Sequence, residues 1–183
     1  TSVLLPKKKI KAKIISRQEG ILAGIRFARD IFYLKGCRVR IIKKDGAKVK
    51  PNQTILQVSG DAKAVLSCER TVLNLLARMS GIATQTSLLV SKIRKINRKT
   101  KLYSTRKTAP GLRFFDKEAV AIGGGHKHRM SLNDMVMIKD NHLLVSNSIE
   151  NITKNARKQH RDVEVEVENQ RDAMIAASSG ATI

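Results

Sequence analysis

Residues 104–113 read Ser-Thr-Arg-Lys-Thr-Ala-Pro-Gly-Leu-Arg. Arg106 and Lys107 are adjacent cations between the hydroxyls of Thr105 and Thr108, stopped by Pro110-Gly111. Arg offers a planar fork of donors and Lys a point charge, so the pair suits an anion with several oxygens. An exposed basic loop would have the same composition. A second run, Gly123-Gly124-Gly125-His126-Lys127-His128-Arg129, combines backbone freedom with donors. Three glycines let backbone approach a ligand or take unusual dihedrals. The two His stand at i, i+2 without a third His or Cys at metal-ligand spacing, which favours an anion-binding loop over a metal site. Lys139 emerges from the apolar run Met135–Ile138 and needs an anionic partner or water. Val163-Glu164-Val165-Glu166-Val167-Glu168 alternates with period two, three Val on one face and three Glu on the other.

These groups make a site rich in Arg, Lys and His, facing carboxylates on a neighbouring strand. Such a site suits a polyanionic substrate whose phosphates are partly neutralised by Mg²⁺, a hard cation that prefers oxygen ligands. The chain has no GxxxxGK[ST] loop, no GxSxG elbow and no Cys/His nucleophile pair. Glycosyl or phosphoribosyl transfer asks for positioning, leaving-group neutralisation and stabilisation of an oxocarbenium-like carbon, and the composition fits that class.

The elements that must position these residues follow from periodicity. Lys9 to Ser16 alternates apolar and basic residues and predicts a half-buried strand. Ile21 to Leu34 predicts a helix stopped at Gly36, and Cys37–Ile42 and Thr54–Val58 predict strands about a Lys44-Asp45-Gly46 turn. Val72, Leu75, Leu76 and Met79 form one helical face; Ile82, Thr86, Leu89, Ile93 and Ile96 continue it. We expect two helices there, or one bent at Ser80-Gly81, with Arg70 off the apolar stripe. From Lys101 the pattern is βα: strands at 101–104, 135–138, 163–167 and from 181, helices at 114–122, 148–159 and 170–178. Alternating units of this length predict a parallel sheet or barrel, with ligand groups at the C-terminal ends of its strands. Covered on both faces, such a strand would need cations, a metal or a wet cavity beside its three Glu. The last strand has barely begun at Ile183, so the barrel is expected to be incomplete at its C-terminal end. The expected division is 1–68, an N-terminal α/β domain; 69–100, connecting helices; and 101–183, an incomplete parallel α/β domain.

The chain has 183 residues and a net charge of +21, with 42% hydrophobic and 3% aromatic residues and no Trp. Residues 1–113 hold 27 basic and 5 acidic residues, so the whole excess lies there. A basic block attracts nucleic acid, acidic membrane or small polyphosphates, but so few aromatics disfavour a base-stacking single-strand binder. No apolar run approaches the roughly 18 residues of a membrane span. The opening Thr1-Ser2-Val3-Leu4-Leu5 is too short for a secretory signal. Cys37 and Cys68 stand alone, so a reducing cytoplasm is expected.

Taken together, Glu69-Arg70-Thr71, Ser80-Gly81-Ile82-Ala83-Thr84, Thr105–Arg113, Gly123–Arg129, Ile138-Lys139-Asp140-Asn141-His142 and Val163–Glu168 resemble, in order and spacing, the carboxylating nicotinate-nucleotide pyrophosphorylases, or quinolinate phosphoribosyltransferases. The resemblance implies an N-terminal α/β sandwich plus an open α/β barrel, paired as a homodimer with shared active sites. It implies transfer of phosphoribosyl from phosphoribosyl pyrophosphate to quinolinate with decarboxylation, giving nicotinate mononucleotide, pyrophosphate and CO₂. On it, Arg70, Thr105, Arg106, His128, Arg129 and Lys139 would bind quinolinate, and Lys107 and Lys139 would also face the phosphoribosyl pyrophosphate. Glu166 would be the acidic residue near Mg²⁺ and ribose, and Arg17 would reach the partner's site. Lys127 departs from the uncharged polar residue expected there. The nearest rival is a paralogous pyrophosphorylase with another acceptor; a basic nucleic-acid-binding protein leaves the aligned carboxylates and the glycine–histidine loop without a reason.

Overall fold

The computed structural model describes residues 8–183, so the apolar opening at Thr1–Leu5 and Lys7 lie outside the described residues. The chain packs as two compact units, one ending at His128 and the other spanning Arg129–Ile183.

In the first unit, β1 (Lys9–Ile15), β3 (Arg38–Ile41) and β5 (Thr54–Asp61) form an antiparallel sheet of order β1-β5-β3. The alternation read in Lys9–Ser16 is real: the lysines are exposed while Ile10, Ala12 and Ile14 pack inward. Two helices cover that inner face, α1 (Ile25–Leu34) and α2 (Ala62–Ile96). The core between them includes Leu22, Phe32, Leu56, Val58, Val72 and Leu76.

The helix predicted from Ile21 starts at Ile25. Gly20–Ile21 instead forms β2, antiparallel to β4 (Lys48–Val49). Gly24 then takes a left-handed φ of 95°, and the Asp45 carboxylate of the predicted turn accepts from Ile25 N at 2.9 Å. At the other end Gly36 is left-handed, and Cys37 N bonds back to Phe32 O, closing the helix where expected.

No break occurs at Ser80-Gly81: α2 is one helix of 35 residues. Its buried stripe runs Cys68, Val72, Leu76, Met79, Ala83, Thr86, Val90, in steps of three or four throughout. Leu89 and Ile96, expected on that stripe, are exposed. Cooperative packing along the whole face outweighs the propensity cost of a single Gly, about 1 kcal/mol.

α3 (Arg113–Ile122) follows the basic loop. The strand expected at 101–104 reduces to one parallel bridge, Tyr103 with His126, with Ser104 N donating to His126 O at 2.9 Å and His126 N to Leu102 O at 2.8 Å.

In the second unit, β6 (Val136–Ile138) pairs in parallel with β7 (Val163–Val165), in register Val136↔Val163 and Ile138↔Val165. A 3₁₀ turn (Leu132–Asp134) and a short helix, α4 (Asp140–Ser146), were not foreseen. α5 (Ile149–Gln159) and α6 (Gln170–Ser178) match their predicted spans, capped by Ser148 and Asn169. β7 ends at Val165 rather than Val167. The strand expected from Ala181 is not assigned, although Thr182 N and Val165 N make ladder-like bonds to Val163 O and Ile183 O. Ile138, Val163, Val165 and Ala176 form this unit's core. Thr153 of α5 is fully buried and its Oγ1 has no hydrogen-bond partner among the described residues. Thr153→Val, close in shape, should therefore raise stability by about 1 kcal/mol, read by urea unfolding.

The mixed α/β class is as expected, with an antiparallel sheet first and parallel βα units after it. Among the described residues no helix is long and apolar enough to cross a membrane, and Cys37 and Cys68 are buried free thiols.

Candidate functional site

In the first unit the basic loop after Tyr103 is held from behind. Arg78, on α2, donates from Nε and Nη2 to the two oxygens of Asp116, on α3, at 2.7 and 2.8 Å. The same carboxylate accepts from Ala109 N at 3.2 Å. One buried acid thus ties both helices to residues 104–112. Its neighbour Lys117 is fully buried and donates to Ser104 Oγ at 3.2 Å and to the Lys127 carbonyl. Glu118 pairs with Arg26 at 2.7 Å and with Lys127. Lys127, the departure noted in the sequence, therefore has a structural partner.

Within this braced loop Thr105 Oγ1 accepts from Lys107 N at 3.1 Å, a local turn that leaves both side chains exposed. Arg106 is half-buried, and its Nε is enclosed without a hydrogen-bond partner among the described residues. A buried guanidinium N–H with no acceptor is costly, and an anionic ligand would satisfy it.

Two of the three glycines, Gly123 and Gly125, are required by packing. A Cβ on Gly123 would lie 2.5 Å from Ala83 O, and one on Gly125 2.9 Å from Thr86 Cγ2, both on α2. Only Gly124 needs its unusual dihedral, φ 90°. Of the two roles expected of them, approach to a ligand or unusual dihedrals, the second holds at Gly124, while Gly123 and Gly125 pack closely on α2. His128 is held at φ 54°, uncommon for a residue with a Cβ, and its ring meets Tyr103 edge-on at 5.9 Å. No group of three or more metal-ligating side chains occurs among the described residues.

Ser80 and Thr84 also serve the fold. Ser80 Oγ accepts from Ala23 N at 3.0 Å and Thr84 Oγ1 from Ile21 N at 2.9 Å, pinning residues 20–24 to α2. Arg17 is exposed beside them, lining an open groove of about 460 Å³ with Gly20, Ser80 and Thr84. Arg70 is exposed on α2. Neither arginine forms an ion pair among the described residues.

In the second unit the parallel register does the positioning. Ile138 lies opposite Val165, so the residues after them, Lys139 and Glu166, leave the C-terminal ends of adjacent strands together. Lys139 Nζ lies 3.0 Å from Glu166 Oε2, with Glu166 N bonded to Ile138 O. His142 Nδ1 accepts from Lys139 N at 2.9 Å and fixes the backbone there. Arg129 donates to Met135 O at 3.2 Å. Glu166 and Glu168 are exposed beyond the end of β7 and Glu164 is half-buried, so the three carboxylates do not form the covered face expected.

The Arg78–Asp116–Glu118 framework was missed by sequence reasoning. Its one signal is that Asp116 precedes Ala119 by three residues, which places a charge on the buried arc of α3.

The Arg78 hydrogen bond holds the Asp116 carboxyl below its ordinary range against the opposing effect of burial, with Ala109 N assisting. The Lys127 hydrogen bond does the same for Glu118. A depressed carboxyl stabilises the fold above its unfolded pKa, and that contribution is lost as pH falls from about 4 through the folded value. The stability gap between wild type and Asp116→Asn should accordingly narrow between pH 7 and pH 3 in urea unfolding. An unchanged gap would contradict the pairing.

The model of the quinolinate phosphoribosyl transferase N-terminal domain matches residues 1–80, and that of the C-terminal domain matches residues 82–183. The chain belongs to the quinolinate phosphoribosyl transferase family. Among its relatives in this family, a protein of Archaeoglobus fulgidus named probable nicotinate-nucleotide pyrophosphorylase (carboxylating) is 44% identical over 179 residues, covering 98% of this chain and 69% of that protein. One of the same name from Bacillus subtilis is 41% identical, covering 94% and 61%. The solved nicotinate-nucleotide pyrophosphorylase of Francisella tularensis superposes with a TM-score of 0.90 at 36% identity, over 98% of this chain and 65% of that one. The chain thus spans roughly two thirds of the length of these relatives.

Proposed function

We propose that this chain carries part of a carboxylating nicotinate-nucleotide pyrophosphorylase, which joins quinolinate to the phosphoribosyl group of phosphoribosyl pyrophosphate and releases pyrophosphate and CO₂. The observation that carries the reading is the enclosed, unpartnered Nε of Arg106 in a rigidly braced basic loop. It stands within a family whose relatives bear that name. Two adjacent carboxylates on a pyridine ring call for such a fixed fork, and after ribosylation the pyridinium is the electron sink for loss of CO₂.

In this reading Arg70, Thr105, Arg106, His128, Arg129 and Lys139 bind quinolinate, with Arg17 supplied to the site of a second copy in a homodimer. Lys107 and Lys139 neutralise the departing pyrophosphate. Glu166, held 3.0 Å from Lys139 by the register of β6 and β7, serves the ribose side. Glu166 would hold Mg²⁺ together with phosphate oxygens of phosphoribosyl pyrophosphate, since Mg²⁺ typically uses one or two carboxylates plus substrate phosphate oxygens. A single exposed Glu166 fits that demand, and its carboxylate would exchange Lys139 for the cation. The domain division at 1–68, 69–100 and 101–183 and a cytoplasmic location belong to the same proposal. The test is turnover by the full-length protein with quinolinate, phosphoribosyl pyrophosphate and Mg²⁺. Turnover only with a different acceptor would favour the paralogous pyrophosphorylase.

A further inference from the structure

The lysines of β1 take no part in the reading above, yet the structure orders them. On the outer face of the antiparallel sheet, Lys11 lies opposite Ser59 and Ser59 opposite Arg38; Lys13 lies opposite Gln57 and Gln57 opposite Arg40. Residues directly opposite share a face, so four cations flank a central strip of two neutral polar side chains. All four are exposed, and none forms an ion pair among the described residues. Together they border a shallow groove of about 350 Å³. Lys9 stands apart: its opposite residue is Asp61, which caps α2.

The core does not require this charge. Ala12, Val58 and Val39, with Ile14, Leu56 and Ile41, hold the sheet from the other side, and any polar residue would satisfy the outer face. Four uncompensated cations on one small sheet repel one another, and a polyanion laid across them would remove that repulsion. Cations two residues apart along a strand are separated by roughly 7 Å, and those on β1 and β3 by two strand spacings, roughly 10 Å. Such a grid suits a chain of evenly spaced phosphates better than one compact anion. Among Lys11, Lys13, Arg38, Arg40, Gln57 and Ser59 there is no aromatic side chain for base stacking and no apolar one for insertion into a lipid surface; the exposed Ile15 lies at the end of β1, past the register shift after Ile14.

We propose that the outer face of β1-β5-β3 binds the phosphodiester backbone of single-stranded nucleic acid without reading its sequence. The ligand meets Lys11, Lys13, Arg38 and Arg40 as point charges, with Ser59 and Gln57 donating between them. RNA and DNA share this chemistry.

The test uses fluorescein-labelled dT20 and rU20 with the full chain, followed by anisotropy from 50 to 300 mM salt. Four released counterions predict a log–log salt slope of about −3. The variant Lys11→Gln/Lys13→Gln/Arg38→Gln/Arg40→Gln should lose at least about tenfold in affinity at low salt while keeping the wild-type melting temperature. A second variant, Arg94→Gln/Lys95→Gln/Arg98→Gln/Lys99→Gln, removes the same charge elsewhere and should lose less than about threefold. Equal losses in the two variants would reduce the effect to bulk charge and overturn the proposal. So would absence of binding, or a preference above about tenfold for RNA or for DNA, which would require contacts beyond the phosphates. Sheet-dependent binding to phosphatidylserine vesicles without binding to either oligonucleotide would assign the face to a membrane instead.

Discussion

Arg106→Ala should raise the KM for quinolinate, or lower turnover, by roughly 10- to 100-fold. The figure follows from charged hydrogen bonds worth about 1.5–3 kcal/mol. The loop that carries Arg106 is fixed by Asp116 through Ala109 N, so the guanidinium is presented at little ordering cost. Its Nε is already enclosed and unsatisfied. Alanine removes both the fork and the buried donor, and the fold should lose nothing by it. Unchanged steady-state kinetics, at an unchanged melting temperature, would mean that the carboxylates are bound elsewhere. Arg106→Lys should recover only part of the loss, since an ammonium lacks the planar fork.

Arg78→Met should destabilise the protein by about 2 kcal/mol, or roughly 4–8 °C in Tm. Removing one partner of a fully buried ion pair costs about 3–5 kcal/mol. The Arg78 side chain is 38% exposed while that of Asp116 is 8% exposed, so water offsets part of the loss. What remains is the cost of leaving Asp116 charged and half-satisfied beneath the basic loop. Adding Asp116→Asn to Arg78→Met should therefore restore part of the stability, because the uncompensated charge goes while an acceptor for Ala109 N stays. Additive losses in the double variant would show that the two residues do not act as a pair.

Local periodicity carried much of this architecture. The strand at Lys9–Ile15 and the helix at Gln170–Ser178 were legible because each has one buried face that its own spacing reveals. Lys139 could be nominated from the apolar run before it and Glu166 through the family resemblance, but their approach depends on the Ile138↔Val165 register. A one-residue slip would have separated them. Of the two alternatives at Ser80-Gly81, two helices or one bent there, the chain forms one continuous helix, a choice that weighing a glycine locally could not make. Ser80 and Thr84 hold residues 20–24 across some 60 positions of sequence, and that tertiary contact keeps the helix whole. Arg78 and Asp116 were invisible for the same reason, being 38 residues apart on different helices. The glycine run was legible as unusual but not in purpose, since its close contacts with Ala83 and Thr86 exist only once α2 and α3 pack.

The charge excess divides along similar lines. Arg70, Arg106 and Lys107 belong to the proposed substrate site, while Lys11, Lys13, Arg38 and Arg40 share one face of a sheet. The two predict different dependences. Turnover should respond to Arg106, and oligonucleotide binding to the sheet face.

The central claim is the reaction, and it is tested most directly by stoichiometry. Full-length protein incubated with carboxyl-labelled quinolinate, phosphoribosyl pyrophosphate and Mg²⁺ should release labelled CO₂ and pyrophosphate in equal amounts, with nicotinate mononucleotide accumulating in step. Pyrophosphate formed without CO₂, or turnover confined to another acceptor, would contradict it.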